Sequence, residues 1–299
     1  DAEPQTPPSC SDADGSPDGG AGNEEAPAQP VGKPLNEAAV WQRALIMAAG
    51  AFMNFLLGFV VMVVLIAAQS EPITSRVIYA IDDGALCGQT GLEAGDKVLA
   101  VNGRRCFVAN DMLYELMRTE DYSARFTVLR GGEKVELPCV RFDTWQDDSG
   151  ETHMSLGFTV YGIRKTPANV VKEAWNSVLY YGRIIFTSLM DLLRGRESIN
   201  DLSGPVGIVT AIGQAASYGW QDLLQLLVLI TVNLGIFNLL PFPALDGGKV
   251  VFLLIEGVTG HAVPEKIQSG LTLAAFALLF GLMLFATYND ILRLITGAV

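Results

Sequence analysis

Residues 44–68, ALIMAAGAFMNFLLGFVVMVVLIAA, hold no charged side chain. At about 1.5 Å of rise per residue, roughly 20 such residues cross the hydrocarbon core of a bilayer, so the run reads as a membrane-spanning helix. No other feature constrains the fold as strongly, because a span must satisfy its backbone polar groups internally. Two further uncharged runs follow at 223–240 and 267–289, the second closed by Tyr288, Asn289 and Asp290. Trp41 and Arg43 precede the first run as interfacial anchors do. Its small residues Ala48, Ala49, Gly50 and Ala51 would let another helix approach closely. Only 17% of the chain is charged, against about 25% in soluble domains. The net charge of −12 argues against a nucleic-acid partner, which calls for a basic face. The lipid bilayer is the partner that the runs imply.

Between the first two spans the chain changes character. Arg76–Ile81, Lys97–Val101, Ala124–Arg130 and Lys134–Val140 alternate as strands do, with Gly91, Gly95, Gly103 and Gly131-Gly132 as turns. Asn110–Thr119 reads as a short helix with apolar positions at Met112, Leu113 and Leu116. Residues 165–200 alternate Trp175, Leu179 and Ile185 with Lys172, Arg183 and Asp191, which suits an amphipathic helix lying at the membrane boundary; a soluble core helix is the alternative. The expected organisation is a polytopic α-helical membrane protein with an inserted α+β domain. Residues 1–40 form a disordered acidic linker, 41–70 a transmembrane helix and 71–146 the inserted domain. Residues 147–218 form a membrane-proximal amphipathic segment and 219–299 a two-span membrane domain. Cysteines 10, 87, 106 and 139 form no C-x-x-C pair, so they read as packing residues or free thiols. Counting Lys and Arg in the short loops gives no orientation.

Asp246 is the residue that points to chemistry. A carboxylate beside an apolar span is costly unless it is paired, solvated or bound to a metal. Here it follows Pro241 and Pro243, which remove backbone donors, and precedes Gly247 and Gly248, which allow unusual conformations. Irregular backbone at this depth is tolerated where it lines a cavity or is buried in protein. Asn233 and Asn238 add polar side chains to the helix before it. One reading is a metal and substrate site; the other is an interfacial N-cap for a helix over 248–257.

The run Asn238-Leu-Leu-Pro241-Phe-Pro243-Ala-Leu245-Asp246-Gly resembles the N-x-x-P-x-P-x-L-D-G signature of the site-2 protease family, intramembrane zinc metalloproteases. The resemblance extends over residues 40–296. Gly50 to Phe55 is similar to the family's A-G-P-x-x-N-F span, with Ala51 in place of Pro and hence a straighter helix. Leu202 to Ile208 is similar to its L-S-G-P-V-G-I segment. The resemblance implies that Asp246 is a Zn2+ ligand and that Asn238, Pro241 and Pro243 seat an unwound substrate. It implies a multi-pass protein of the bacterial cell membrane that cleaves single-span membrane proteins, such as anti-sigma factors, by regulated intramembrane proteolysis. Gly91 to Gly103 resembles the core of bacterial PDZ domains, implying a PDZ-like, extracytoplasmic insertion with a possible peptide ligand. Its groove would involve Val77, Ile78, Met112, Leu113 and Leu116.

One motif of the family does not occur. Two imidazoles at i and i+4 with an intervening Glu, H-E-x-x-H, hold the zinc and activate water. The two histidines here, His153 and His261, are far apart and neither precedes Glu; both read as loop residues. No catalytic base is present, so the chain as given is expected to be inactive alone. Residue 1 is Asp, and 1–38 lack a basic stretch followed by an apolar core. The expectation is therefore a fragment lacking the H-E-x-x-H span. The alternative is a pseudoprotease or non-catalytic membrane scaffold that binds peptides through its PDZ-like domain.

Overall fold

A computed structural model describes residues 38–119, 121–147, 150–196 and 202–296. The linker expected before residue 38 lies outside the described residues. Helix α1 (Val40–Ala68) is followed by strand β1 (Ile73–Ile81), a short helix α2 (Leu86–Gln89), β2 (Lys97–Val101), β3 (Arg104–Arg105) and α3 (Ala109–Met117). Strands β4 (Ser123–Arg130), β5 (Glu133–Arg141), β6 (Asp143–Gln146), β7 (Thr152–Ser155) and β8 (Phe158–Ile163) complete the β region. Helices α4 (Pro167–Leu193), α5 (Pro205–Tyr218), α6 (Trp220–Leu239), α7 (Asp246–Thr259) and α8 (Glu265–Thr296) follow. Helices α1, α6 and α8 are long and apolar enough to cross a membrane, and they coincide with the three uncharged runs. α1 passes through Ala51 without a break.

The main sheet has the order β5-β4-β2-β1-β8, with β3 beside β2, and β6-β7 forms a separate hairpin. Ile78, Leu92, Val98, Leu116 and Phe126 are fully buried in one core between the sheet and α3. Each such side chain contributes on the order of 1.5–3 kcal/mol. Strand β8 was not apparent in the sequence, and it carries the sheet past residue 146. It pairs with β1 from Ile73↔Ile163 to Ile81↔Phe158. Both edges of β1 are thus filled, by β2 and by β8. Cys87 and Cys106 are buried free thiols and Cys139 is an exposed one; burial pushes the Cys106 thiol up to about 12.

Helix α4 joins the β domain to the spans. Thr166 caps it by accepting from Asn169 N at 3.2 Å, and Pro167 occupies its first turn. Val170, Ala174, Val178, Tyr181 and Ile185 recur every three or four residues and are buried against α1 and α6. These five are covered by protein, while Trp175, Leu179 and Phe186 on the same helix are exposed. Its polar side meets α3. Arg183 pairs with Asp111, and Arg118 with Asp191. The Arg118 guanidinium holds the Asp191 carboxyl below its usual value. Asp111 also caps α3, accepting from Val108 N at 3.0 Å.

Candidate functional site

The proline loop grows out of the end of α6. That helix crosses α1 at close range: a side chain at Gly58 would meet Val232 at 3.1 Å, and one at Gly235 would meet Phe55 at 3.1 Å. Small residues at the crossing let the backbones approach, so packing rather than apolar contrast holds the helices together. α6 stops at Leu239, just before Pro241, which has no N–H for another turn. The loop is closed by Phe242 N donating to Leu240 O at 2.7 Å and Leu245 N to Phe242 O at 2.9 Å. The hydroxyl of Thr272 on α8 donates to Pro243 O at 3.1 Å.

Gly247 and Gly248 turn out to be needed for space, not for backbone freedom. Neither has a positive φ; both lie in the first turn of α7. A Cβ on Gly247 would lie 2.1 Å from Leu240 O, and one on Gly248 would lie 2.4 Å from Phe242 O. The loop folds back so tightly onto the start of α7 that no side chain fits. This corrects the expectation of special conformations. Asp246 is itself the first residue of α7, and Leu245 is the N-cap, so the carboxylate does not serve as the cap.

Asp246 faces α1. A Cβ at Gly50 would lie 3.6 Å from Asp246 Oδ2, an ordinary van der Waals contact, so α1 passes directly beside the carboxylate. The Asp246 side chain is 40% exposed, and Lys249 Nζ lies 3.8 Å from its Oδ1. Arg43 pairs with Glu256 and ties the start of α1 to α7. Asn238 is half-buried in the last turn of α6 and forms no side-chain hydrogen bond among the described residues. Pro241 is exposed and Pro243 half-buried. Asn238, Pro241, Pro243 and Asp246 thus follow one another along the α6–α7 connection, with Asp246 across from Gly50. Sequence reading missed Gly50, Lys249 and Thr272 as its neighbours; the small-residue run and the i+3 spacing of Lys249 were the available signals.

The histidines are elsewhere. His153 lies on β7, where it pairs with Asp147 at 2.9 Å and stacks on Trp145. His261 lies between α7 and α8, exposed, with Nδ1 2.9 Å from Thr259 O. Among the described residues the one group of three potential metal ligands is Asp147, Glu151 and His153 on the β6-β7 hairpin, not at Asp246. A catalytic zinc takes three protein ligands. Asp246 fits one of those positions, and the described residues supply no others beside it.

Of the groove residues, Ile78, Met112 and Leu116 are core residues, 0–2% exposed, while Leu113 is 37% exposed and Val77 half-buried. With both edges of β1 filled, the sheet's free edge on that side is β8. A cavity of about 600 Å³ lies between α3 and the hairpin, lined by Leu113, Met117, His153, Met154 and Leu156.

Comparison with known proteins gives the family. Residues 11–282 match Peptidase family M50. The chain belongs to that family. It is 31% identical over 271 residues to "Regulator of sigma-W protease RasP" of Bacillus subtilis, covering 91% of this chain and 64% of that protein. It is 34% identical over 251 residues to "Zinc metalloprotease RasP" of Geobacillus kaustophilus, covering 84% of this chain and 59% of the relative. This M50 chain thus spans less than two thirds of the length of these relatives.

Proposed function

We propose that this chain supplies the aspartate ligand and the substrate-holding loop of an intramembrane zinc endopeptidase. The observation that carries the reading is Asp246, an unburied carboxylate beside the spans, placed by the proline loop against a glycine on α1. Membership of family M50 and the zinc metalloprotease names of the relatives support Zn2+ as the cofactor. Zinc, when bound, would polarise the scissile carbonyl and its bound water. Two histidine ligands and the Glu base would come from outside these 299 residues, so the chain alone would be inactive.

This chain's residues would handle the substrate. A peptide bond inside a helix is shielded until the helix unwinds, which frees its backbone donors and acceptors. The half-buried Asn238 amide, with no partner of its own, and the irregular backbone at Pro241 and Pro243 would hold the unwound strand extended. Substrates would be single-span membrane proteins of the bacterial cell membrane, such as anti-sigma factors, cleaved by regulated intramembrane proteolysis. The β domain would be PDZ-like and extracytoplasmic, with Asp246 near the cytoplasmic side. A peptide ligand of that domain would add at the free edge of β8 rather than at β1.

The test is Asp246→Asn in the protein made from its complete reading frame, with cleavage of a model single-span substrate as readout. Cleavage should be abolished while membrane insertion is unchanged. Undiminished cleavage overturns the ligand assignment. The 1–299 chain alone should not cleave the same substrate; if it does, the incomplete ligand set is the wrong reading.

A further inference from the structure

The segment Leu202 to Ile208 takes no part in the site above, yet its packing is demanding. Helix α5 starts at Pro205 with Gly204 as its N-cap. A proline there has no N–H to satisfy. Gly207 N, two residues on, donates to Asp290 Oδ2 of α8 at 2.7 Å. Asp290 is 5% exposed. Gly204 has no room for a side chain, since a Cβ there would lie 2.8 Å from Thr287 N, and the fit at Gly207 is tight, with a Cβ 3.0 Å from Asp290 Oδ1. The end of α5 is pressed onto α8, and a carboxylate from α8 meets its unsatisfied donors and positive dipole end. That arrangement also answers the cost of a buried carboxylate at the end of a span.

The other end of α8 reaches the proline loop through Thr272 and Pro243 O. Roughly 27 Å of helix separates Thr272 from Asp290, at about 1.5 Å per residue. Between them Phe276, Leu278, Phe280 and Leu284 are exposed. α5 continues into α6 through Gly219 alone, at φ 140°, and packs along it. α6 ends in the loop. The elements therefore close a ring: α8 to α5, α5 to α6, α6 to the loop, and the loop back to α8.

We propose that α8 is a two-point clamp on the proline loop, with Thr272 and Asp290 as positioning residues for it. The inference rests on the loop's proposed role in holding substrate. Thr272 orients the Pro243 carbonyl directly. Asp290 ties the start of α5 to α8, and α5 packs on α6, so that the α5–α6 pair cannot shift relative to α8 and carry the loop with it.

The test uses the protein made from its complete reading frame with a single-span reporter substrate. Thr272→Val and Asp290→Leu should each lower cleavage about tenfold. Thr272→Ser keeps the donor and Asp290→Asn keeps an acceptor for Gly207 N, so both should stay within about twofold of the parent. The second readout is a cysteine at Ala244, with the four native cysteines replaced, labelled by a water-soluble maleimide. Labelling should quicken several-fold in Thr272→Val and Asp290→Leu, and not in the conservative pair. Both readouts have to move together: cleavage or labelling that changes alone, or neither changing, overturns the clamp. Should Asp290→Leu fail to insert, the Thr272 pair decides. Asp246→Asn is the internal control. If it cleaves normally, the proposed site fails whatever the clamp does. If it is inactive while Thr272→Val and Asp290→Leu behave as the parent, the clamp alone fails.

Discussion

In the β domain and α4, each buried carboxylate among the described residues faces a guanidinium. Asp96 meets Arg130 at 2.7 Å, Asp111 and Glu115 meet Arg183, and Asp191 meets Arg118. Among the described residues Asp246, beside the spans, has an exposed lysine at 3.8 Å as its one charged partner. The first group is satisfied by the fold itself, as buried charges must be. The second keeps coordination capacity that the fold does not use.

This contrast can be broken by mutation. Asp111→Ala should cause the largest loss, about 3–5 kcal/mol, because it takes the nearer of two carboxylates from Arg183, leaving Glu115 at 3.9 Å, and removes the α3 cap together. A denaturant melt in detergent, followed by a probe in the β domain, measures it; a loss under 1 kcal/mol would mean that the pairing is not structural. Asp96→Ala should cost less, about 1–3 kcal/mol, since Arg130 is at the surface and can turn to water. The same melt ranks the two.

The third effect depends on pH. Asp191 has a folded pKa below its unfolded value because of Arg118. Its contribution is present above the unfolded value, about 3.9, and is lost as pH falls through the lower folded value. Acid melts should show this loss below about pH 4, and Arg118→Ala should remove it. The smallest effect sharpens the contrast most. Asp246→Asn should change stability by less than about 0.5 kcal/mol, because no buried partner is lost. A large destabilisation there would place Asp246 among the structural carboxylates.

Local features were legible in the sequence. β2 was read to the residue, and the three spans were found from charge-free length alone. β8 was not, because its stability comes from pairing with β1, far away in the chain. The expected groove fell on β1 for the same reason: nothing local shows that a strand's second edge is occupied. At the site, the order of Asn238, Pro241, Pro243 and Asp246 was legible, but the reason for the glycines was not. Gly247 and Gly248 look like residues chosen for conformational freedom; the fold needs them because loop carbonyls lie where side chains would be.

The sequence by itself determined which segments enter a membrane, where the backbone breaks between them, and that one carboxylate follows the break. These follow from transfer free energy and from the missing N–H of proline, both properties of neighbouring residues. Only the tertiary structure decided what each carboxylate meets: Gly50 in front of Asp246, Arg183 against Asp111, and Gly207 beneath Asp290. A charge's role depends on what stands within a few ångströms of it, and those neighbours come from other helices.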